Sequence, residues 1–213
     1  MRLRAALFAV LLVLAPGPGA AEESVRRLVF DVVHEDYGNI GSFEQTIRRE
    51  DSGRIEVDGR FEVAVDILGL TLFRRVSERR EVWEDGRLVK FSAETDDDGT
   101  TLTVSGQANG PGFRVEGPDG TGEAPANVWP TDPFSSAVRG AGALLGAERG
   151  ALFEVELVEE SEGAAPGDPT GAPVRRIVLA GDRPRTLWFD AAGYLLAMRF
   201  SARGDTLELR RRP

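Results

Sequence analysis

The sequence predicts an all-β fold: a strongly curved antiparallel sheet or open barrel of about ten strands, with one or two short helices. Three observations predict it. From Arg54 to Leu68 the odd positions read Ile55, Val57, Gly59, Phe61, Val63, Val65 and Ile67, while the even ones are mostly charged. That period of two describes a strand with one buried and one wet face. Clusters of Asp and Gly recur at short intervals: Asp51-Ser52-Gly53, Glu84-Asp85-Gly86, Asp97-Asp98-Gly99, Asp190 to Gly193 and Arg203-Gly204-Asp205. Such turns join antiparallel neighbours as hairpins. Only one stretch carries the start and stop signals of a helix.

Taken in chain order, Met1 to Ala21 opens with Arg2 and Arg4, runs apolar from Ala5 to Ala15, and closes on Pro16 to Ala21, which are small and helix-breaking. This is the pattern of a cleaved secretory signal, and its apolar run is shorter than the roughly 20 residues of a spanning helix. The expected division is therefore a signal over 1–21 and one antiparallel β domain over 22–213, periplasmic or secreted, with no transmembrane segment after cleavage.

Leu28, Phe30 and Val32 begin the first inward row, and His34 ends it. The strand from Arg54 to Leu68 is longer than usual, and Gly59 in its buried row offers a place to bend. Ala151, Phe153, Val155 and Leu157 predict a later strand, and Tyr194, Leu196, Met198 and Phe200 another. Between them, Asp132 caps an expected helix with Pro133 at its first position and Gly140 at its end. The segments Ala108 to Ala126 and Glu160 to Pro173 read as loops, although Phe113 and Val115 allow a short strand in the former. Two Trp-ended hairpins, at Trp83 to Leu88 and Trp188 to Leu195, echo one another as hairpins commonly do.

Composition narrows the function. The chain has 213 residues, 26 basic and 35 acidic side chains, a formal charge of −9 and no Cys. An acidic surface does not suit phosphate contacts, so nucleic acid is set aside. Without Cys there is no disulfide, thiol nucleophile, thiolate metal site or lipid-modified N-terminal Cys.

Several motifs together carry a resemblance: Gly38-Asn39-Ile40-Gly41, Trp83 to Leu88, Thr95 to Gly99, Asn127-Val128-Trp129, and Leu187 to Gly193. The chain resembles, from about Leu28 to Leu209, a family of exported bacterial β-rich proteins described as a domain of unknown function. That family is similar in outline to the lipoprotein-carrier superfamily. The resemblance implies a curved antiparallel sheet, partly closed by helices, that holds acyl chains.

The residues themselves offer no catalytic constellation. His34 is the sole histidine, too few for a histidine metal site and without a recognisable partner as a base. Ser135-Ser136 lacks the Gly-x-Ser-x-Gly elbow. Asp96, Asp97 and Asp98 lack the spacing of a calcium loop and read as a hairpin turn. Arg210-Arg211-Arg212 reads as a solvated terminus. No enzyme, cofactor or metal is expected. The expectation is a binding protein for a lipid-like or other apolar molecule, with Phe61, Val63 and Val65 lining a cavity and Trp129 at its rim. The alternative is a cell-envelope scaffold or interaction protein with a filled core, docking an envelope protein through its edges or loops.

Overall fold

The computed structural model describes residues 24–67, 70–202 and 204–213; the expected signal over 1–21 lies outside them. Fifteen strands form one sheet: β1 (Ser24–His34), β2 (Gly38–Arg49), β3 (Ile55–Ile67), β4 (Leu70–Glu84), β5 (Arg87–Asp97), β6 (Thr100–Asn109), β7 (Gly112–Gly117), β8 (Gly120–Pro125), β9 (Val128–Pro130), β10 (Ala143–Leu145), β11 (Leu152–Ala164), β12 (Pro173–Gly181), β13 (Arg185–Phe189), β14 (Leu195–Ala202) and β15 (Asp205–Arg211). Among the described residues one 3-10 helix is present, over Ser136–Gly140.

Hairpin chemistry sets the order. β1 to β8 form one meander and β10 to β15 another, joined in mid-sheet by β1 pairing with β15. Asp85 and Asp98, each at φ 51°, precede Gly86 and Gly99, also at positive φ. Two consecutive positive-φ residues form the tight turn whose twist matches the strands on either side. Asp98 also accepts a hydrogen bond from the Arg74 backbone N–H, so the acidic run at Asp96 to Asp98 closes a hairpin as its sequence implies. Among the described residues only β9 and β10 pair parallel, through a crossover that contains the 3-10 helix.

The sheet curls into a nearly closed barrel. No ladder joins β8 to β9 among the described residues, yet the two ends of the sheet come close. A Cβ added at Gly117 would lie 2.4 Å from the Arg149 carbonyl oxygen, so this approach requires glycine. Inside, Leu28, Phe30, Val32, Phe43, Ile47, Val57, Val63, Phe113 and Leu187 are buried in one core, with the β1 and β3 rows in the expected register.

The departures have physical causes. The strand number exceeds ten in part because the Gly-rich Ala108 to Ala126 segment contains the whole β7–β8 hairpin, anchored by buried Phe113 and Val115. The expected Pro133 helix shrinks to a 3-10 turn capped by Ser135, because the chain before it is already engaged. The Phe134 carbonyl accepts from the Leu195 N–H at 3.3 Å, and the Gly193 carbonyl accepts from the Ser136 N–H at 2.9 Å. β11 runs through to Ala164, so only the turn beyond it is loop. Ala165 in that turn packs with Trp188 and Ala197 in a small cluster separate from the main core. Trp188 thus has a different environment from the core residue Trp83, and the two hairpins are not equivalent. Leu157 is 40% exposed, since a bulge between Leu157 and Glu159 breaks the alternation after β10 has ended. A bulge between Trp188 and Phe189 likewise resets the alternation of β14: Leu195 and Met198 enter the main core, Ala197 packs beside Trp188 in the small cluster, and Tyr194 and Leu196 are only half-buried. The terminal arginines are paired: Arg211 with Asp190 at 2.8 Å and Arg212 with Asp31 at 2.7 Å.

The wet face carries a lattice of Arg–carboxylate pairs that makes stability depend on acid. Hydrogen bonds from Arg80 and Arg54 hold the Glu56 carboxyl below its ordinary value of 4.5, and Arg27 does the same for Glu44. A carboxylate whose folded-state pKa is depressed contributes its stabilisation above the unfolded value and loses it as pH falls through the folded one. The melting temperature is expected to be flat above about pH 5 and to fall steadily below pH 4.5. A melting temperature unchanged between pH 6 and pH 3 would show that these pairs contribute nothing.

Candidate functional site

The inward row of β4 sets the character of the barrel interior. Counting back from Trp83 in steps of two gives Glu81, Arg79, Ser77, Arg75 and Phe73, so a strand that begins apolar at one end becomes charged along its length. At the Trp83 end the interior is filled. The Trp83 and Trp129 rings lie 4.3 Å apart, and Phe134 sits 5.7 Å from each, meeting Trp83 edge-on. Tilted and edge-to-face packing of this kind exploits the opposite polarity of ring face and ring edge.

A polar layer follows. The Asp132 carbonyl accepts from Gln45 Nε2 at 2.9 Å and Arg79 Nη2 at 2.8 Å, which pins the chain after β9 across the barrel. Arg79 also pairs with the Asp132 carboxylate, and its Nε lies 2.8 Å from Glu81 Oε1. That last contact is an ion pair with poor hydrogen-bond alignment, since neither atom has a directed partner. Glu81 Oε2 accepts from the Trp83 indole N–H at 2.8 Å. Burial pushes the Glu81 carboxyl upward against the pull of Arg79. Gly59 is opposite: a Cβ there would be 3.0 Å from Arg79 Nε, so its lack of a side chain makes room for the guanidinium.

Beyond the polar layer lies a cavity of about 300 Å³. Phe43, Phe61, Phe153, Met198, Phe200 and Leu209 form its apolar wall, and five cations, Arg75, Arg79, Arg149, Arg183 and Arg185, border it together with the carboxylates Asp132 and Glu148. Arg75 is held by Asp97 at 2.9 Å and Glu148 at 2.8 Å. Arg185 has no carboxylate partner among the described residues. Its Nε donates to the Arg183 carbonyl at 3.2 Å, and its Nη1 donates to the Thr131 carbonyl and lies 3.8 Å from Met198 Sδ. Burial, and secondarily the charge of Arg183, pull its pKa down to about 10.

The four residues singled out from the sequence separate. Phe61 lines the cavity, 6.1 Å from Phe43. Val63, on the same row, is buried in the core, and Val65 is half-buried opposite Phe73; neither lines the cavity. Trp129 lies in the aromatic cluster and borders a separate cleft beside Arg87, Asn127 and Gly140. His34 is buried, accepts the Asp36 N–H at Nδ1, and stands 4.7 Å from the Tyr37 ring. The arginines escaped the sequence reading, although parity from Trp83 would have placed Arg75 and Arg79 inside.

The sequence profile of the family described as domain of unknown function DUF6134 matches residues 30–212. The chain belongs to this family. No curated protein matches the DUF6134 chain. Among solved structures it is similar to a β-barrel-like protein of domain of unknown function DUF1849 from Brucella abortus, with a TM-score of 0.56 and 14% identity. That match covers 87% of the DUF6134 chain and 95% of the other. At this identity the likeness is one of fold. No helix among the described residues is long and apolar enough to cross a membrane.

Proposed function

We propose that the protein is an exported, non-catalytic binding protein that holds a lipid-like or other largely apolar molecule inside its barrel. The observation that carries this reading is the asymmetry of the interior. One end is filled by Trp83, Trp129 and Phe134, whereas the other leaves a cavity of about 300 Å³ walled by Phe43, Phe61, Phe153 and Phe200. A concave space with an apolar wall and several fixed polar groups is the usual form of a small-molecule site.

Titration with N-phenyl-1-naphthylamine, a neutral fluorescent probe, tests it. Saturable binding in the micromolar range is expected, about −8 kcal/mol. Phe61→Ala should weaken it several-fold, while Trp129→Ala, outside the cavity lining, should leave it within about twofold. Absence of saturable binding would transfer support to the scaffold reading, for which the exposed pair Leu157 and Val158 on β11 is the observation in favour. Export rests on Arg2, Arg4 and the small residues up to Ala21. Intact-mass measurement after expression in an exporting bacterium should give a chain starting at Ala21 or Glu22, and retention of Met1 to Ala15 would overturn it.

A further inference from the structure

The charges inside the barrel are not evenly matched. Arg79 has two carboxylates within contact, Glu81 and Asp132, and Arg75 has two, Asp97 and Glu148. Arg185 is 5% exposed and has neutral acceptors only, and the charge that acts on it is the like charge of Arg183. Its hydrogen bonds use Nε and Nη1, leaving Nη2 unengaged among the described residues. Arg183 lies at the exposed turn between β12 and β13, its guanidinium 4.7 Å from the Phe153 ring centroid. Both cations border the same cavity as Phe61 and Phe200.

A buried guanidinium without a counter-charge is costly, and a neutral side chain of similar volume is often the more stable choice. Holding the Thr131 carbonyl does not call for a charge. The neighbouring Asp132 carbonyl is already tied by Gln45 and Arg79, and Thr131 N–H is tied to the Leu145 carbonyl at 3.1 Å. A neutral donor would serve there equally. An arriving anion would supply what the protein lacks, a counter-charge and an acceptor for the free Nη2 of Arg185, in a charge-assisted hydrogen bond to a carboxylate or phosphate oxygen.

We propose that the cavity selects amphiphiles with a terminal oxyanion, a carboxylate or a phosphate monoester, whose head is held by Arg185 and Arg183 while the tail lies against Phe61 and Phe200. This rests on the binding reading above and adds a class of ligand to it. The pKa of Arg185, although lowered to about 10, leaves it a full cation at neutral pH.

Calorimetric titration at pH 7.5 of the whole protein with dodecanoate, dodecyl phosphate and dodecanol, below their aggregation limits, tests the proposal. The two anions are expected to bind about ten- to a hundredfold more tightly than the alcohol, the span of a charge-assisted hydrogen bond. Whichever anion binds the tighter identifies the head group. Arg185→Met should erase most of the gap while keeping or raising the melting temperature, and Arg183→Gln, at an exposed position, should narrow the gap without affecting folding. Acetate or inorganic phosphate alone should not compete at millimolar concentration. Equal affinity of dodecanoate and dodecanol for the unaltered protein would overturn the proposal, as would a gap that survives both substitutions. If Arg185→Met fails to fold, the unaltered protein and Arg183→Gln decide by the same criteria. Alcohol and anions binding equally would leave the binding reading intact, whereas no binding by any of the three would remove both.

Discussion

Val63→Glu is expected to leave the protein unfolded at room temperature, while Glu62→Lys, one residue away, changes its stability little. Val63 is 4% exposed, on the inward row of β3 opposite Gly41 and Arg75 of the neighbouring strands. A carboxylate there would have to be neutralised or left charged in an apolar core, at a cost of several kcal/mol that consumes much of a stability of about 5–15 kcal/mol. Arg75 does not rescue it, because Asp97 and Glu148 already occupy that guanidinium. Glu62 points the other way, into the surface lattice with Arg60 and Arg74. Its loss forfeits surface pairs and creates a cluster of three cations, worth about 1 kcal/mol. Urea midpoints of the two variants measure the difference, and equal midpoints would contradict the register of β3.

Trp83→Ala is expected to destabilise nearly as much, by a different route. Trp83 is 2% exposed and supports both Trp129 and Phe134. Its removal opens a cavity at the filled end of the barrel, about 3–5 kcal/mol for a large aromatic residue. It also takes from Glu81 one of its two partners, adding roughly 1–3 kcal/mol for a buried charged acceptor left short of a donor. Trp83→Phe separates the two contributions: it keeps most of the volume and loses only the indole N–H. The measurement is chemical denaturation of both variants, with Phe expected to recover more than half of the loss. If Phe and Ala were equally unstable, the Glu81 hydrogen bond and not the packing would dominate.

How much of this was legible depended on whether parity could be counted. β3 could be read because its odd positions from Ile55 to Val65 are apolar apart from Gly59 while its even ones are mostly charged. The hairpins at Asp85-Gly86 and Asp98-Gly99 were legible for a local reason, the positive φ those residues tolerate. β4 was hidden, since Arg75, Arg79 and Glu81 on an inward row look like a solvated face until their counter-charges are known. The 3-10 turn was misread because its cap signals are local, whereas the bonds that preclude a longer helix come from Gly193 and Leu195 far along the chain. Of the site, Phe61 followed from alternation alone. Arg185 did not, because β13 is five residues long with a bulge at Trp188 and offers too few positions to establish a period. Trp129 belongs to a three-residue strand, and nothing local tells which end of the barrel such a strand occupies.

The pairing of β1 with β15 bears on how the molecule is made. That seam joins residues as far apart as Asp31 and Arg212, 181 positions in sequence, and it lies in the middle of the sheet rather than at an edge. During synthesis the first meander can assemble from neighbouring hairpins, but β1 keeps an open side until β15 has been made. Loop closure over so long a separation is slow compared with hairpin formation, and an unpaired strand edge is the feature through which incomplete chains associate. Arg212, paired with Asp31 across that seam, therefore acts as a late latch: the sheet becomes continuous only once β15 is in place.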